Sequence, residues 1–285
     1  MMPDRYWRSV LYVPGDNPSM IQKSFIYGAD AVTLDLEDAV GMGKKHQARY
    51  LIKNALEYLD FENTDIFIRI NSIDSCMWKK DLELPDLSKI TAVRIPKVET
   101  AHDVSEISDY IADRERESNM KIGTVLLIPG IETAKGYLNL EKILNSSERV
   151  AGVGLGSEDF ITDTGISRKK LETVKIGIVL MARACGKFVL DSVYPDFSDE
   201  QGFENECISA RECGMDGKSL IHPSQIEAVN RIFSPSEKEL QRAKEKLELN
   251  RENSTGDAFN YKGQMVDKPI IERCERIMKY GEKNG

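Results

Sequence analysis

Short apolar, β-branched runs recur along the chain at 9–13, 31–35, 66–70, 91–95, 124–128, 150–154, 187–191 and 218–221, with helical or amphipathic stretches between them. Runs that are apolar on both faces suit a parallel sheet covered by helices. Eight of them in βα alternation predict an α/β fold, a TIM (β/α)8 barrel, with a doubly wound open sheet as the competing architecture. Charged residues at the C-terminal ends of the runs favour the barrel, whose active sites lie on that face.

Those charges form a pattern of their own. Asp35, Glu37 and Asp38, in Asp35-Leu-Glu-Asp-Ala-Val40, follow the run Ala31-Val-Thr-Leu34. Glu132 follows the fifth run and Glu158-Asp159 the sixth, while Arg69 closes the third and Lys97 comes just after the fourth. An ionised carboxylate at the rim of a core is costly unless a metal, an arginine or a substrate meets it. The arrangement predicts one site fed by several strand ends.

After the last run the pattern changes. Ser234-Pro-Ser-Glu237 has the spacing of a capping box with proline at the first helical position, opening a charged helix to about residue 250. Asn253-Ser-Thr-Gly-Asp257 reads as a loop, and a final helix is expected from Ile270 to Tyr280. The predicted organisation is a barrel domain over 1–233 and a lid or arm over 234–285.

Composition narrows the function classes. A net charge of −8 over 285 residues, without clustered Lys and Arg, argues against nucleic acid as a partner, although a local basic pocket could still take an anion. No apolar stretch is long enough for a membrane span, and the first eight residues lack the apolar core of a secretory signal, so a cytoplasmic protein is expected. The five cysteines show no CxxC pair and read as reduced and structural. The three histidines are far apart in sequence, which leaves a hard, oxygen-liking ion such as Mg2+ as the expected metal.

Several residues carry two readings. Glu132 and Asp159 can each give carboxylate oxygens to one Mg2+, or each can pair with a neighbouring Arg or Lys. Glu37 and Asp38 can hold metal-bound waters or orient cations. Arg69 offers a fork to a carboxylate or a developing enolate, or closes an interior salt bridge. Gly152-Val-Gly-Leu-Gly-Ser157 lacks dinucleotide-fingerprint spacing and reads as close packing at a strand. His222, before Pro223, reads as a loop cap.

Seven blocks then carry a resemblance: Arg8-Ser-Val-Leu-Tyr-Val-Pro-Gly15, Gly28-Ala-Asp-Ala-Val32 leading into the acidic segment, Ile68-Arg-Ile-Asn71, Arg94-Ile-Pro-Lys97, Gly156-Ser-Glu-Asp-Phe160, Gly217-Lys-Ser-Leu-Ile-His-Pro223 and Gly263-Gln-Met-Val-Asp267. In that order, and over nearly the whole chain, they resemble the citrate lyase beta-subunit family, which includes malyl-CoA and citramalyl-CoA lyases. The resemblance implies a homotrimeric TIM barrel with a C-terminal lid, binding Mg2+ and a CoA or acyl-carrier-protein thioester. It further implies Glu132 and Asp159 as metal ligands, Arg69 as the holder of the keto acid, and Arg8, Lys45 and Arg49 on the carrier's phosphates. Asp267 corresponds to a lid acid that enters a neighbouring subunit's site.

The implied reaction is carbon–carbon cleavage of a 3-hydroxy-3-carboxyl acyl thioester into a keto acid and an acetyl-type thioester. In the carrier-protein-linked subunits a longer Arg-Ser-x-x-Gly-Thr-Glu block follows the metal aspartate, whereas this chain reads Thr164-Gly-Ile-Ser-Arg-Lys-Lys-Leu-Glu172. That departure favours a stand-alone CoA-type lyase over the citryl-carrier-protein subunit. A binding or assembly subunit without catalysis is the reading from another class.

Overall fold

The computed structural model describes residues 6–61, 64–252 and 258–284. Eight parallel strands pair in sequence order: β1 (Ser9–Pro14), β2 (Ala31–Asp35), β3 (Asp65–Arg69), β4 (Ala92–Ile95), β5 (Leu126–Ile131), β6 (Gly152–Leu155), β7 (Phe188–Asp191) and β8 (Gly217–Leu220). β8 returns to β1 with Val10 opposite Ser219 and Leu11 opposite Leu220, so the sheet closes into the expected barrel and the open-sheet alternative falls.

The helices between the strands are α1 (Pro18–Lys23), α2 (Lys45–Tyr58), α3 (Trp78–Glu83), α4 (Ala101–Glu117), α5 (Ala134–Leu138), α6 (Leu140–Leu144), α7 (Ser157–Thr164), α8 (Leu171–Ala184) and α9 (Glu200–Glu212), followed by α10 (Ile226–Phe233). The fifth strand starts two residues later than its apolar run and continues to Ile131. Its entry is drawn off by α4, because the Glu115 carboxylate accepts from the Gly123 and Val125 amides at 2.9 Å each.

Alternate residues of a strand face the barrel interior. At the N-terminal end these positions are apolar: Trp7, Val10, Ala31, Phe67, Ala92, Ile128 and Phe188 pack together, with the Trp7 ring edge-on to Phe67 and Phe188 at 4.8 Å. Two residues further along the same strands the inward positions become Tyr12, Thr33, Arg69, Arg94 and Gly130. The chemistry of the protein begins at that change of layer.

The chain divides into two compact units, Met1–Asn230 and Arg231–Gly285. The second contains α11 (Glu237–Glu252), the antiparallel hairpin β9 (Phe259–Tyr261) and β10 (Gln264–Val266), and α12 (Lys268–Asn284), around Tyr261, Val266 and Ile271. The capping box is displaced from its expected place. Ser236, not Ser234, caps α11, exchanging hydrogen bonds with Glu239, while Pro235 lies outside the helix. The expected loop at 253–257 lies outside the described residues, as do the first five residues. No described helix is long and apolar enough to cross a membrane, and all five cysteines are free.

Candidate active site

The C-terminal ends of the strands enclose a cavity of about 380 Å³, lined by Tyr12, Asp35, Asp38, Arg69, Arg94, Glu132, Glu158, Asp159 and Ser219 among others, all from the first unit. Each acidic or basic group arrives there for a local reason. Asp35 ends β2, Arg69 ends β3, Arg94 is the third residue of β4, Glu132 directly follows β5, and Asp159 lies in the first turn of α7.

Arg69 organises the acidic loop after β2. Its Nε lies 2.8 Å from one Asp35 oxygen and its Nη2 2.5 Å from the other, a bidentate pair that holds the guanidinium flat. Its Nη1 lies 3.0 Å from Glu37 and 3.5 Å from Asp38, and its carbon stands 4.8 Å over the Tyr12 ring. Lys97 completes the cluster from the β4 side, with Nζ 3.1 Å from Glu37. Its residue sits in the left-handed backbone region, at φ 51°. Burial raises the Glu37 carboxyl above its ordinary value, and Arg69 and Lys97 only partly oppose this.

Glu132 is different. It is 6% exposed, and its Oε2 is buried without a hydrogen-bond partner. Burial, reinforced by the charges of Glu37 and Asp159, pushes its carboxyl up to about 7, against the smaller opposing effects of Arg69 and the Lys97 amide. Glycines make its place: a Cβ on Gly156 would lie 2.6 Å from Glu132 Cγ, and one on Gly130 2.7 Å from Oε1. An unpaired buried carboxylate beside a second one is the donor set that a hard divalent cation satisfies. Mg2+ is an ion usually held by one or two carboxylates with water and substrate.

The structure therefore brings together Arg69, Glu37, Asp38, Glu132 and Asp159. It places the other expected residues elsewhere. Arg8 stands at the entrance of β1, on the opposite rim of the barrel, where its amide and guanidinium bond Asp30 at 2.7–2.9 Å. The Lys45 ammonium donates to the carbonyls of Leu36 and Glu37 at 2.8 and 2.7 Å. Arg49 Nε lies 2.7 Å from Asp81, which also accepts from Asn71. Lys45 and Arg49 are each 7% exposed. These three cations, expected on a carrier's phosphates, are held inside the protein, Arg8 and Arg49 by carboxylates and Lys45 by two carbonyls of the acidic loop.

Asp267 belongs to the second unit, at the start of α12, where its carbonyl accepts from the Ile270 and Ile271 amides at 3.1 Å. His222 is the loop cap it was expected to be, with Nδ1 2.8 Å from Ser224 Oγ and its ring stacked on Phe197. The glycines of 152–156 serve close packing as expected, since Cβ atoms on Gly152 and Gly154 would strike Phe188 and Arg94. Tyr12, Arg94 and Ser219 went unassigned in the sequence. The available signal was a charge inside the apolar run Ala92-Val-Arg-Ile95, a position that must point into the barrel or into the helix layer.

Fold and cavity together define a (β/α)8-barrel protein with its chemistry at the C-terminal rim. The chain belongs to the HpcH/HpaI aldolase/citrate lyase family, whose model matches residues 8–223. It is 37% identical over 291 residues to the citrate lyase subunit beta of Leuconostoc mesenteroides subsp. cremoris, covering 100% of this chain and 96% of that one. It is 35% identical over 279 residues to a (3S)-malyl-CoA thioesterase of Cereibacter sphaeroides, covering 95% and 91%. Among solved structures it is similar to the protein CitE from Mycobacterium tuberculosis in complex with magnesium, acetoacetate and coenzyme A, with 30% identity, a TM-score of 0.76, and coverage of 98% and 99%.

Proposed function

We propose that this protein is a Mg2+-dependent carbon–carbon lyase acting in the cytoplasm on a 3-hydroxy-3-carboxyl acyl thioester, which it splits into a keto acid and an acetyl-type thioester. The observation that carries the reading is the buried, unpartnered Oε2 of Glu132 beside Asp159, in a cavity shared with the Arg69 fork. The names of the relatives, citrate lyase beta subunits and a malyl-CoA thioesterase, support the substrate class, and the magnesium in the similar CitE structure supports the ion.

Glu132 and Asp159 would hold Mg2+, which when bound acidifies a substrate hydroxyl and stabilises keto-acid oxygens. Arg69, held flat by Asp35 and steadied at Nη1 by Glu37 and Asp38, orients the keto-acid portion from the cavity wall. The hydroxyl proton passes to Asp267, the oxygen becomes the carbonyl of the keto acid, the carbon–carbon bond breaks, and the electron pair passes to the α-carbon of the thioester fragment. Asp267, brought by the lid of a neighbouring subunit in a homotrimer, returns a proton to that carbon. Asp267→Asn should bind Mg2+ normally and lose turnover; full turnover in this variant removes the role.

A second reading, the citryl-carrier-protein subunit of a citrate lyase complex, is favoured by the 37% identical relative of that name. One assay separates the two. The purified protein is incubated with Mg2+ and malyl-, citramalyl- and citryl-CoA, and keto-acid release is followed with and without EDTA. Metal-dependent release from a CoA thioester supports the stand-alone lyase, and release only from the carrier-protein thioester supports the subunit. Silence with both classes leaves a binding or assembly role.

A further inference from the structure

The last two strands of the barrel end on hydroxyls. Leu190 of β7 lies opposite Gly217 of β8 and Asp191 opposite Lys218, so the same register sets Ser192 beside Ser219 one residue further on. Leu190 packs in the barrel interior, and alternation turns both serines the same way, into the cavity that they line. On the outer face Asp191 and Lys218, each fully buried, are joined at 2.6 Å, and Lys175 reaches the other Asp191 oxygen at 2.8 Å. That buried ion pair fixes the two strand ends against each other.

Both hydroxyls have a proton to give. Ser192 is 2% exposed, and its Oγ is buried with no hydrogen-bond partner among the described residues. Ser219 is equally buried, and its Oγ accepts from Arg94 Nη1 at 3.1 Å, which leaves its own proton to be donated. Buried serines elsewhere in the barrel unit spend theirs inside the protein, Ser9 on Asn230 at 2.7 Å and Ser24 on the Ile21 carbonyl at 2.8 Å. A buried hydroxyl without an acceptor is costly, and two of them side by side on one cavity call for an acceptor there.

The wall around the serines says what kind of acceptor this is. The charged groups that line the cavity come from β2 to β6 and from α7, whereas the β7–β8 side adds only Val193 and Ile221 to the two serines. An uncharged, half-apolar wall with two donors suits a neutral thioester carbonyl better than a carboxylate. Neighbouring strands lie about 4.8 Å apart, which lets two hydroxyls both reach one oxygen at about 2.8 Å. Building on the lyase reading, we infer that Ser192 and Ser219 are catalytic residues that donate together to the thioester oxygen as it becomes an enolate oxygen. When the carbon–carbon bond breaks, its electron pair passes to the α-carbon and on to that oxygen, whose double bond to carbon becomes single. When Asp267 returns the proton to the α-carbon, the carbonyl re-forms. The negative charge exists only between those two steps, so donors held ready by the strands lower the barrier without tightening substrate binding.

The test compares Ser192→Ala and Ser219→Ala with the unsubstituted full-length protein, using Mg2+ and whichever thioester it cleaves among malyl-, citramalyl- and citryl-CoA and the citryl carrier protein. Each variant should lower kcat about 10- to 100-fold, the range of a hydrogen bond to a charged group, at unchanged KM. Calorimetric affinities for Mg2+ and for the released keto acid should stay as they are, and thermal denaturation checks the fold. Should an alanine variant not fold, the glycine variant at that position takes its place. Unchanged kcat in either variant, a higher KM at constant kcat, or weaker keto-acid binding overturns the inference and leaves the lyase reading standing. Absence of cleavage of every one of these thioesters by the unsubstituted protein overturns both.

Discussion

Loading the site with Mg2+ should expel a proton from Glu132. Burial, with Glu37 and Asp159 nearby, pushes that carboxyl up to about 7, so at pH 7 about half of the metal-free molecules hold the proton. A carboxylate must be ionised to ligate, and the apparent dissociation constant therefore scales with the reciprocal of the ionised fraction. The factor is about 11 at pH 6 and about 1.1 at pH 8, an affinity gain of about tenfold across the range. Calorimetry at pH 7 in buffers of different ionisation enthalpy should record about 0.5 proton released per ion. Glu132→Gln should weaken binding and remove the slope.

The same group gives stability a defined sign. Its folded value lies above the ordinary 4.5, so the native state binds more protons than the unfolded one between 4.5 and about 7. The stabilisation is fully present below 4.5 and is lost as pH rises through about 7, a change of about 3 kcal/mol in the metal-free protein. The difference in urea stability between the unsubstituted protein and Glu132→Gln isolates this contribution from other titrating groups. A Mg2+ affinity independent of pH between 6 and 8 would refute the reasoning.

Other perturbations probe the supports of the site. Glu115→Gln leaves the buried Arg149 without its counter-charge and should cost about 3–5 kcal/mol in urea unfolding with Mg2+ affinity unchanged. Lys218→Met, between β8 and the helices, strips a cation 2.6 Å from both Asp191 and Glu206 and should cost about as much by the same assay. Gly156→Ala drives a methyl against Glu132 Cγ and should weaken Mg2+ binding by about 10- to 100-fold, measured by titration, in a protein that still shows barrel circular dichroism.

Periodicity made the barrel legible, because strands buried on both faces must be apolar at nearly every position, and each apolar run falls on an observed strand. Glu132, Asp159 and Arg69 were legible for the same reason: a charge abutting such a run has to be met by something at the barrel mouth. Arg8 abuts a run as well, but at its start, and a strand's two ends open on opposite rims. Lys45 and Arg49 show a related limit, since a helix following an acidic loop can turn its cations out to a ligand or in to the loop's own carbonyls, and Lys45 turns in.

The sequence by itself determined the number and order of strands and the rim that would carry the charged groups, because these follow from alternation and from the cost of burying charge. The tertiary structure decided which cations remain available to a ligand. Arg49, Arg69, Arg94 and Arg149 are alike as letters, and only the partners brought from other strands and helices separate the three matched by carboxylates from Arg94, which faces a hydroxyl, an aromatic ring and the cavity. Side-chain pairing depends on distances across the barrel, between residues as far apart in the chain as Arg94 and Ser219, and no local pattern records them.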